Sequence, residues 1–148
     1  MIGKADYGNW AALAGFVLVA GLAGSARAAM LPPNVKTETI GGATVLATSA
    51  GKALYTFDKD QAGSGKSACQ GVCAKYWPPL LAPAGFTASG NWSVIDRGGT
   101  KQLAYHGKPL YSFAADQPGT DSGNGFKGLW HVATPGLKPA AAKKAAGW

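Results

Sequence analysis

The feature that most constrains this chain is an internal repeat. Residues 36–63 match residues 92–119 at ten of 28 positions, with a shift of 56 and no gap. Sequences of ordinary composition would match by chance at about two positions. The correspondence resumes after a loop of different length, at residues 77–83 and 130–135. The identical pairs are Gly42/Gly98, Thr44/Thr100, Gly51/Gly107, Lys52/Lys108, Leu54/Leu110, Tyr55/Tyr111, Phe57/Phe113, Asp60/Asp116, Gln61/Gln117 and Gly63/Gly119.

Each copy has the pattern of a meander of short strands. In the second copy, the turns Gly98-Gly99 and His106-Gly107 separate predicted strands at 92–97, 100–105 and 108–113. Two-residue turns that contain glycine are typical of tight hairpins. The first copy has Gly41-Gly42 and Ala50-Gly51 at its turns.

The predicted fold class is therefore all-β, with two repeated meanders forming one small barrel or sandwich with pseudo-twofold symmetry. The 22 glycines and 9 prolines disfavour long helices, and only Ser67–Tyr76 favours one or two helical turns. Alternation along the third strand places Tyr55 and Phe57 on one face and Leu54 and Thr56 on the other. Asp60 and Asp116 then begin Asp-Gln-x-Gly turns, in which a carboxylate can accept backbone N–H groups.

The N-terminal residues 1–28 are predicted to be a signal peptide. An uncharged, mostly apolar run of 14 residues precedes Ala26-x-Ala28, the small residues of a cleavage site. A membrane span needs about 20 apolar residues. We therefore expect cleavage, no stable membrane anchor afterwards and a periplasmic or secreted protein; the alternative is an uncleaved N-terminal anchor. The mature chain is predicted to have a linker (29–35), one β domain (36–136, repeats 36–83 and 92–135) and a disordered basic Ala/Lys-rich tail (137–148).

The charge of the mature chain argues against nucleic acid as a partner. Cleavage leaves 12 basic and 6 acidic residues, and three of the lysines lie in the tail. The other basic residues are scattered singly rather than clustered. We expect a monomer whose partner is an unidentified component of the cell envelope.

The repeated segments also resemble a known family. Gly51-Lys-Ala-Leu-Tyr-Thr-Phe-Asp-Lys-Asp60 and Gly107-Lys-Pro-Leu-Tyr-Ser-Phe-Ala-Ala-Asp116 fit a Tyr-x-(Phe/Trp/Tyr)-x-x-Asp motif, and the segment from Cys69 to Pro79 fits a Cys-x3-Cys…Trp-Pro-Pro loop. The chain is thus similar, over about residues 40–135, to a bacterial family of exported repeat proteins that are often lipoproteins. The resemblance implies the fold and export but no particular activity. No cysteine precedes Cys69, so lipid attachment does not carry over.

Two cysteines in an exported chain are most simply one disulfide. A helical turn would place Cys69 and Cys73 at about the Cα separation that a disulfide needs. The alternative is a copper or thiol-redox site that uses Cys69 and Cys73 with His106 or His131.

Three other hypotheses concern the polar and aromatic residues. Asp60 and Asp116 are candidates for an acid/base pair, with the two carboxyl groups facing each other across the pseudo-twofold axis. The oxygen-rich segment 116–125 is a candidate calcium loop, although it lacks the EF-hand pattern. An aromatic ligand face is predicted from Trp77, Trp92 and Trp130, with Tyr55 and Tyr111 as further members.

The sequence contains no Ser-His-Asp set, phosphate loop or His-rich cluster. We therefore expect no cofactor and a non-enzymatic, exported cell-envelope module with a binding or structural role. The alternative function is a copper-binding or thiol-redox accessory protein.

Overall fold

The computed structural model describes residues 30–137, so the predicted signal peptide and residues 138–148 of the predicted tail lie outside the described residues. The regular elements of this part of the chain are mostly strands with one short helix, which confirms the all-β prediction in its main feature. No helix within it is long and apolar enough to cross a membrane. The elements are β1 (Val35–Ile40), β2 (Ala43–Thr48), β3 (Tyr55–Phe57), α1 (Val72–Tyr76), β4 (Trp92–Asp96), β5 (Lys101–Tyr105), β6 (Lys108–Pro109), a 3-10 turn (Phe126–Gly128) and β7 (Trp130–Val132).

The strands of residues 30–137 form three small antiparallel sheets, β1-β2, β3-β7 and β4-β5-β6, and do not close into the expected barrel. The β1-β2 hairpin turns at Gly41-Gly42, whose φ angles of 59° and 82° are strained for other residues. The third strand of the second copy is shorter than predicted, because β6 ends at Pro109. Proline lacks the N–H that a strand ladder requires. Tyr111 then forms isolated bridges with Tyr55 and Pro79.

The last extended segment of each repeat pairs with the other repeat. β7, which belongs to the second repeat, pairs with β3 of the first. The segment around Leu80, which belongs to the first repeat, forms backbone hydrogen bonds with the second repeat. Two pairs of backbone bonds correspond between the repeats. In the first pair, Leu80 N donates to Leu110 O (2.9 Å) and Ala133 N donates to Leu54 O (2.7 Å). In the second pair, Leu103 N donates to Leu80 O (2.8 Å) and Leu46 N donates to Ala133 O (2.8 Å). The two repeats are therefore interlocked.

The gapless alignment is wrong by one residue in the first hairpin of each repeat. Val35 pairs with Thr48, and Trp92 pairs with Tyr105, so these hairpins correspond with a shift of 57. The shift returns to 56 because the next turn has one more residue in the first copy. There, the Thr48 N–H bonds to the carbonyl of Lys52, whereas Tyr105 pairs directly with Lys108.

The core consists of two clusters on opposite faces of the central strands, as the alternation in sequence predicted. Leu54 and Leu110 belong to the first cluster, with Trp92, Leu103 and Tyr105. The second cluster contains Tyr55, Phe57, Cys69, Trp77, Tyr111 and Trp130.

Both ends of the described chain differ from the predicted domain boundaries. Val35, assigned to the linker, is buried and begins β1. Leu137, assigned to the tail, packs against the first core cluster. Both residues bury apolar surface, so the domain extends slightly further at each end than the sequence indicated.

Candidate functional site

The second core cluster is organised around a stack of four aromatic rings. The indoles of Trp77 and Trp130 are 3.8 Å apart between centroids and 3° from parallel. Phe57 stacks on Trp130 at 4.3 Å, and Phe113 stacks on Trp77 at 4.3 Å. The repeats alternate along the stack, so each repeat supplies every second ring.

Two tyrosines meet the stack edge-on. Tyr55 contacts Trp77 with a centroid distance of 5.2 Å and an angle of 80°, and Tyr111 contacts Trp130 at 5.2 Å and 88°. Edge-to-face contact is one of the geometries that the charge distribution of aromatic rings favours. Both tyrosines have no solvent-exposed surface.

Each tyrosine donates its phenolic hydroxyl to an aspartate of the other repeat. Tyr55 Oη donates to Asp116 Oδ2 and Tyr111 Oη donates to Asp60 Oδ2, both at 2.5 Å. The second oxygen of each carboxylate accepts a backbone N–H, from Ala68 for Asp60 and from Ser122 for Asp116. The aspartates therefore accept backbone bonds from loops beyond their own turns. What faces each one is a tyrosine, which corrects the hypothesis of an aspartate pair.

The surroundings of the two pairs differ in charge. The Arg97 guanidinium donates to Ser67 Oγ at 2.5 Å, and Ser67 Oγ lies 2.6 Å from Tyr111 Oη. The buried Lys108 donates from Nζ to the carbonyl of Asp60 at 2.9 Å. Cations thus surround the Asp60 pair. Around the Tyr55 hydroxyl, the neighbours are instead Ser122, which bonds to Asp116, and the Gly123 N–H at 3.3 Å.

Burial shifts the acid–base properties of this cluster. Desolvation, followed by the hydrogen bond to the partner aspartate, raises the pKa of both Tyr55 and Tyr111 well above that of an ordinary phenol. Desolvation also raises the pKa of Asp60, although the bonds from Tyr111 and Ala68 act in the opposite direction. The tyrosines are therefore neutral at physiological pH.

The cysteines form a disulfide beside the stack. The Cα atoms of Cys69 and Cys73 are 5.2 Å apart. Cys69 is fully buried, and its carbonyl accepts a bond from Arg97 Nη2 at 2.9 Å. Cys73 lies in α1 and is half-buried.

An open groove of about 530 Å³ lies over the edge of the stack. Its aromatic walls are Phe57, Tyr76, Trp77, Phe113, Phe126 and Trp130. Val72, Cys73 and Leu129 complete the apolar lining, and Lys59 and Lys127 are the charged residues that line it. We call this feature the aromatic groove.

Several groove residues are large, apolar and exposed. Val72 and Tyr76 lie four residues apart on the same side of α1 and are 71% and 57% exposed. Phe126 is 41% exposed. Its neighbour Lys127 has a φ of 50°, a left-handed conformation that costs a side chain about 1–2 kcal/mol. Strain of this kind in a non-glycine residue is often found at functional sites.

The exposed residues of the groove, Val72, Tyr76 and Phe126, were not among the site residues predicted from the sequence. Tyr76 and Val72 flank Cys73 at helical spacing, and Phe126-Lys127 stands between two glycines in a polar loop. A large aromatic residue in a glycine-rich polar loop was a sign of a possible binding site. Nothing in the sequence, however, shows that α1 and the Phe126 loop lie next to each other.

The three tryptophans of the predicted ligand face are not together. Trp77 and Trp130 are stacked, and both line the groove. Trp92 belongs to the other core cluster, where it packs on Tyr105 at 4.6 Å. Trp92 therefore lies on the Leu54 and Leu110 side of the central strands, whereas Trp77 and Trp130 lie on the Tyr55 and Tyr111 side.

The histidines are not gathered around the disulfide. His106 is the first residue of a tight turn and has a φ of 49°. His131 Nε2 lies 2.9 Å from the Asp58 carboxylate. Among residues 30–137, no group of three or more His, Cys, Asp or Glu side chains is placed to hold a metal ion. Within the proposed calcium loop, Asp116 bonds to Tyr55 and Ser122, and Asn124 Oδ1 accepts the N–H of Val132 at 3.2 Å.

Comparisons with known proteins agree with this repeat architecture. No curated protein and no solved structure matches the chain. One family model matches residues 37–81 and again residues 92–134, which together make up more than half of the chain. The chain therefore belongs to the Lipoprotein 15 family, which is described as a secreted repeat of unknown function.

Proposed function

We propose that this protein is a non-enzymatic, exported binding module whose two interlocked, pseudo-twofold repeats hold the aromatic groove open. The ligand is a component of the cell envelope that carries an apolar, preferably planar, group next to an anionic group. The single observation that supports this role best is the groove itself. It exposes aromatic side chains beside two lysines, and no acidic residue is among those that line it.

The chemistry of the groove favours such a ligand. Exposed Tyr76 and Phe126 offer ring surfaces for stacking at little cost in conformational entropy. Lys59 and Lys127 are both exposed and would attract an anion. Exposed apolar surface rimmed by polar groups is typical of binding sites.

The test is a comparison of two dyes with the purified exported protein. Anilinonaphthalenesulfonate has an aromatic body and an anionic group, and N-phenylnaphthylamine has the same body without the charge. We expect the sulfonate to bind more tightly, and we expect Tyr76→Ala and Phe126→Ala to weaken the binding of both dyes. Fluorescence titration measures the affinities.

Lys127→Gly separates binding from stability. Glycine relieves the positive φ at this position, so stability should stay equal or rise by up to about 1 kcal/mol. The affinity for the sulfonate should fall about three- to tenfold, which is ~0.7–1.4 kcal/mol, while the affinity for the neutral dye stays unchanged. His106→Gly is the matched control, because His106 has nearly the same φ and does not line the groove. The proposal would be overturned if Tyr76→Ala, Phe126→Ala and Lys127→Gly all bound the sulfonate as tightly as the wild type does.

A further inference from the structure

The buried centre of the second cluster has a feature that packing does not require. Its two tyrosines each donate a short hydrogen bond to a carboxylate, while their rings contact a stacked pair of indoles. Burying a carboxylate is unfavourable unless hydrogen bonds or charges compensate it, and apolar residues of similar volume often serve a core equally well. Tryptophan and tyrosine are also among the side chains most easily oxidised by one electron.

We propose that the stacked indoles of Trp77 and Trp130 and the phenol of Tyr55 form a one-electron relay, with Asp116 as the proton acceptor. Both indoles are almost fully buried, but both line the aromatic groove, so a one-electron oxidant in the groove lies close enough for electron transfer from them. The relay concerns electron transfer rather than ligand affinity. Its test does not depend on whether the groove binds the proposed ligand.

An oxidant of the class of organic peroxyl radicals or trivalent metal complexes takes one electron from the stacked indoles and is itself reduced. Tyr55 then gives one electron to the indole cation and passes its phenolic proton to Asp116 along the 2.5 Å hydrogen bond. The products are a neutral indole pair, a neutral tyrosyl radical and a protonated aspartic acid, so the second step neutralises both the indole cation and the Asp116 carboxylate.

Electrostatics favours Tyr55 over Tyr111 as the end of the relay. Tyr111 is linked through Ser67 to the Arg97 guanidinium, and its partner aspartate lies beside Lys108. Nearby cations disfavour both the loss of an electron and the approach of positive charge. Asp116 and Asp121 supply the charges near Tyr55, and negative charge favours oxidation there.

The test is flash photolysis with a photogenerated ruthenium(III) trisbipyridine complex. Trp148, which lies outside the described residues, is replaced by Phe throughout, so that its indole does not contribute. We expect an indole radical band that decays as a tyrosyl radical band rises, and we expect the rise to slow in D₂O because the proton moves with the electron. Trp92→Phe is the control, since Trp92 belongs to the other core cluster.

Two phenylalanine substitutions form a matched pair. Tyr55→Phe should remove most of the tyrosyl radical and lengthen the lifetime of the indole radical, while Tyr111→Phe should leave both largely unchanged. If Tyr55→Phe does not fold, Asp116→Asn serves instead and should abolish the D₂O effect together with most of the tyrosyl signal. The proposal is overturned if Tyr111→Phe removes the signal, if the radical resides on the exposed Tyr76, or if the rise does not depend on Trp77 and Trp130.

Discussion

Tyr55 and Tyr111 bond to each other through their backbones, with the N–H of each donated to the carbonyl of the other at 2.8 and 3.0 Å. They occupy the same position in the two repeats, so the contact is reciprocal. A second reciprocal pair of bonds joins Gly63 N to Gly107 O and Gly119 N to Gly51 O, both at 2.9 Å. Together with the exchanged last segments, these bonds join the backbones of the two repeats.

The interlocked strands predict that neither repeat folds alone. A cut between Thr87 and Ala88 falls in an exposed loop between the repeats and removes no strand. Each separated fragment lacks the segment of the other repeat that pairs with its third strand, and it has too little core to be stable. We expect each fragment to be unfolded by circular dichroism and the equimolar mixture to regain the β-sheet signal. Independent folding of either fragment would contradict this architecture.

The tyrosine–aspartate bonds predict a large cost for removing either phenol ring. Tyr55→Ala and Tyr111→Ala should each lower the free energy of unfolding by about 2–4 kcal/mol, because both rings are fully buried. The corresponding Phe variants keep the rings but leave a buried carboxylate oxygen without its donor, at about 1–3 kcal/mol. Urea unfolding with a single transition measures both effects. Melting temperatures unchanged by all four substitutions would contradict the assignment.

The raised pKa of the buried Asp60 predicts that its contribution to stability falls as the pH rises. Burial raises the pKa of Asp60 in the folded protein, so the folded state holds this proton more tightly than the unfolded state. The resulting stabilisation is present in full below about pH 3.9, the ordinary aspartate pKa, and is lost as the pH rises through the folded pKa. The stability of the wild type relative to Asp60→Asn should therefore decrease with rising pH, as urea unfolding at a series of pH values would show.

Asp96 is the natural comparison for this titration. The hydrogen bond from Lys101 lowers the pKa of Asp96, so its contribution is present above about pH 3.9 and lost as the pH falls through its folded pKa. Asp96→Asn should change the pH profile in the opposite direction. Parallel profiles for Asp60→Asn and the wild type would show that the Asp60 carboxylate is not desolvated.

Two equivalent glycines predict unequal effects of the same substitution. Gly51 and Gly107 have φ angles of 87° and 76°, so alanine costs each about 1–2 kcal/mol of backbone strain. A Cβ on Gly107 would lie 2.6 Å from the backbone nitrogen of Gly63, whereas the nearest atoms to one on Gly51 are at 3.6 Å. Gly107→Ala should therefore be the more destabilising by about 1–3 kcal/mol. Equal losses in thermal melts would argue against the close approach of Gly63.

The disulfide predicts a modest and local stabilisation. The cysteines are only four positions apart, and closing such a short loop stabilises a protein by about 2 kcal/mol. Replacing both cysteines with alanine should cost about this amount, and reduction of the wild type should give a similar loss in guanidinium unfolding. A much larger loss would show that α1 and the groove wall depend on the bond for their fold.

Much of the local structure was predictable because it depends on neighbours in the chain. The glycine turns, the alternation that gives Leu54 and Tyr55 opposite faces, and a helical turn at α1 all follow from short-range sterics and side-chain direction. The one-residue offset at Gly41-Gly42 was missed because a count of identities favours a single gapless shift. Hydrogen-bond register reveals the extra residue in the following turn.

The sequence by itself determined the repeat, its turns and the membership of a secreted family, and it favoured a disulfide between Cys69 and Cys73. Only the tertiary structure decided that each aspartate is bonded to the tyrosine of the other repeat, that Trp77 stacks on Trp130 while Trp92 does not, and that α1 and the Phe126 loop form one groove. The bonded tyrosine and aspartate are 51 positions apart in one pair and 61 in the other. Both repeats carry the same Tyr-x-Phe-x-x-Asp motif, so the sequence does not show whether a tyrosine bonds to the aspartate of its own repeat or to that of the other repeat. Residues this distant are brought together by the exchange of the last segments, because that pairing satisfies the third strands and buries both faces of the core.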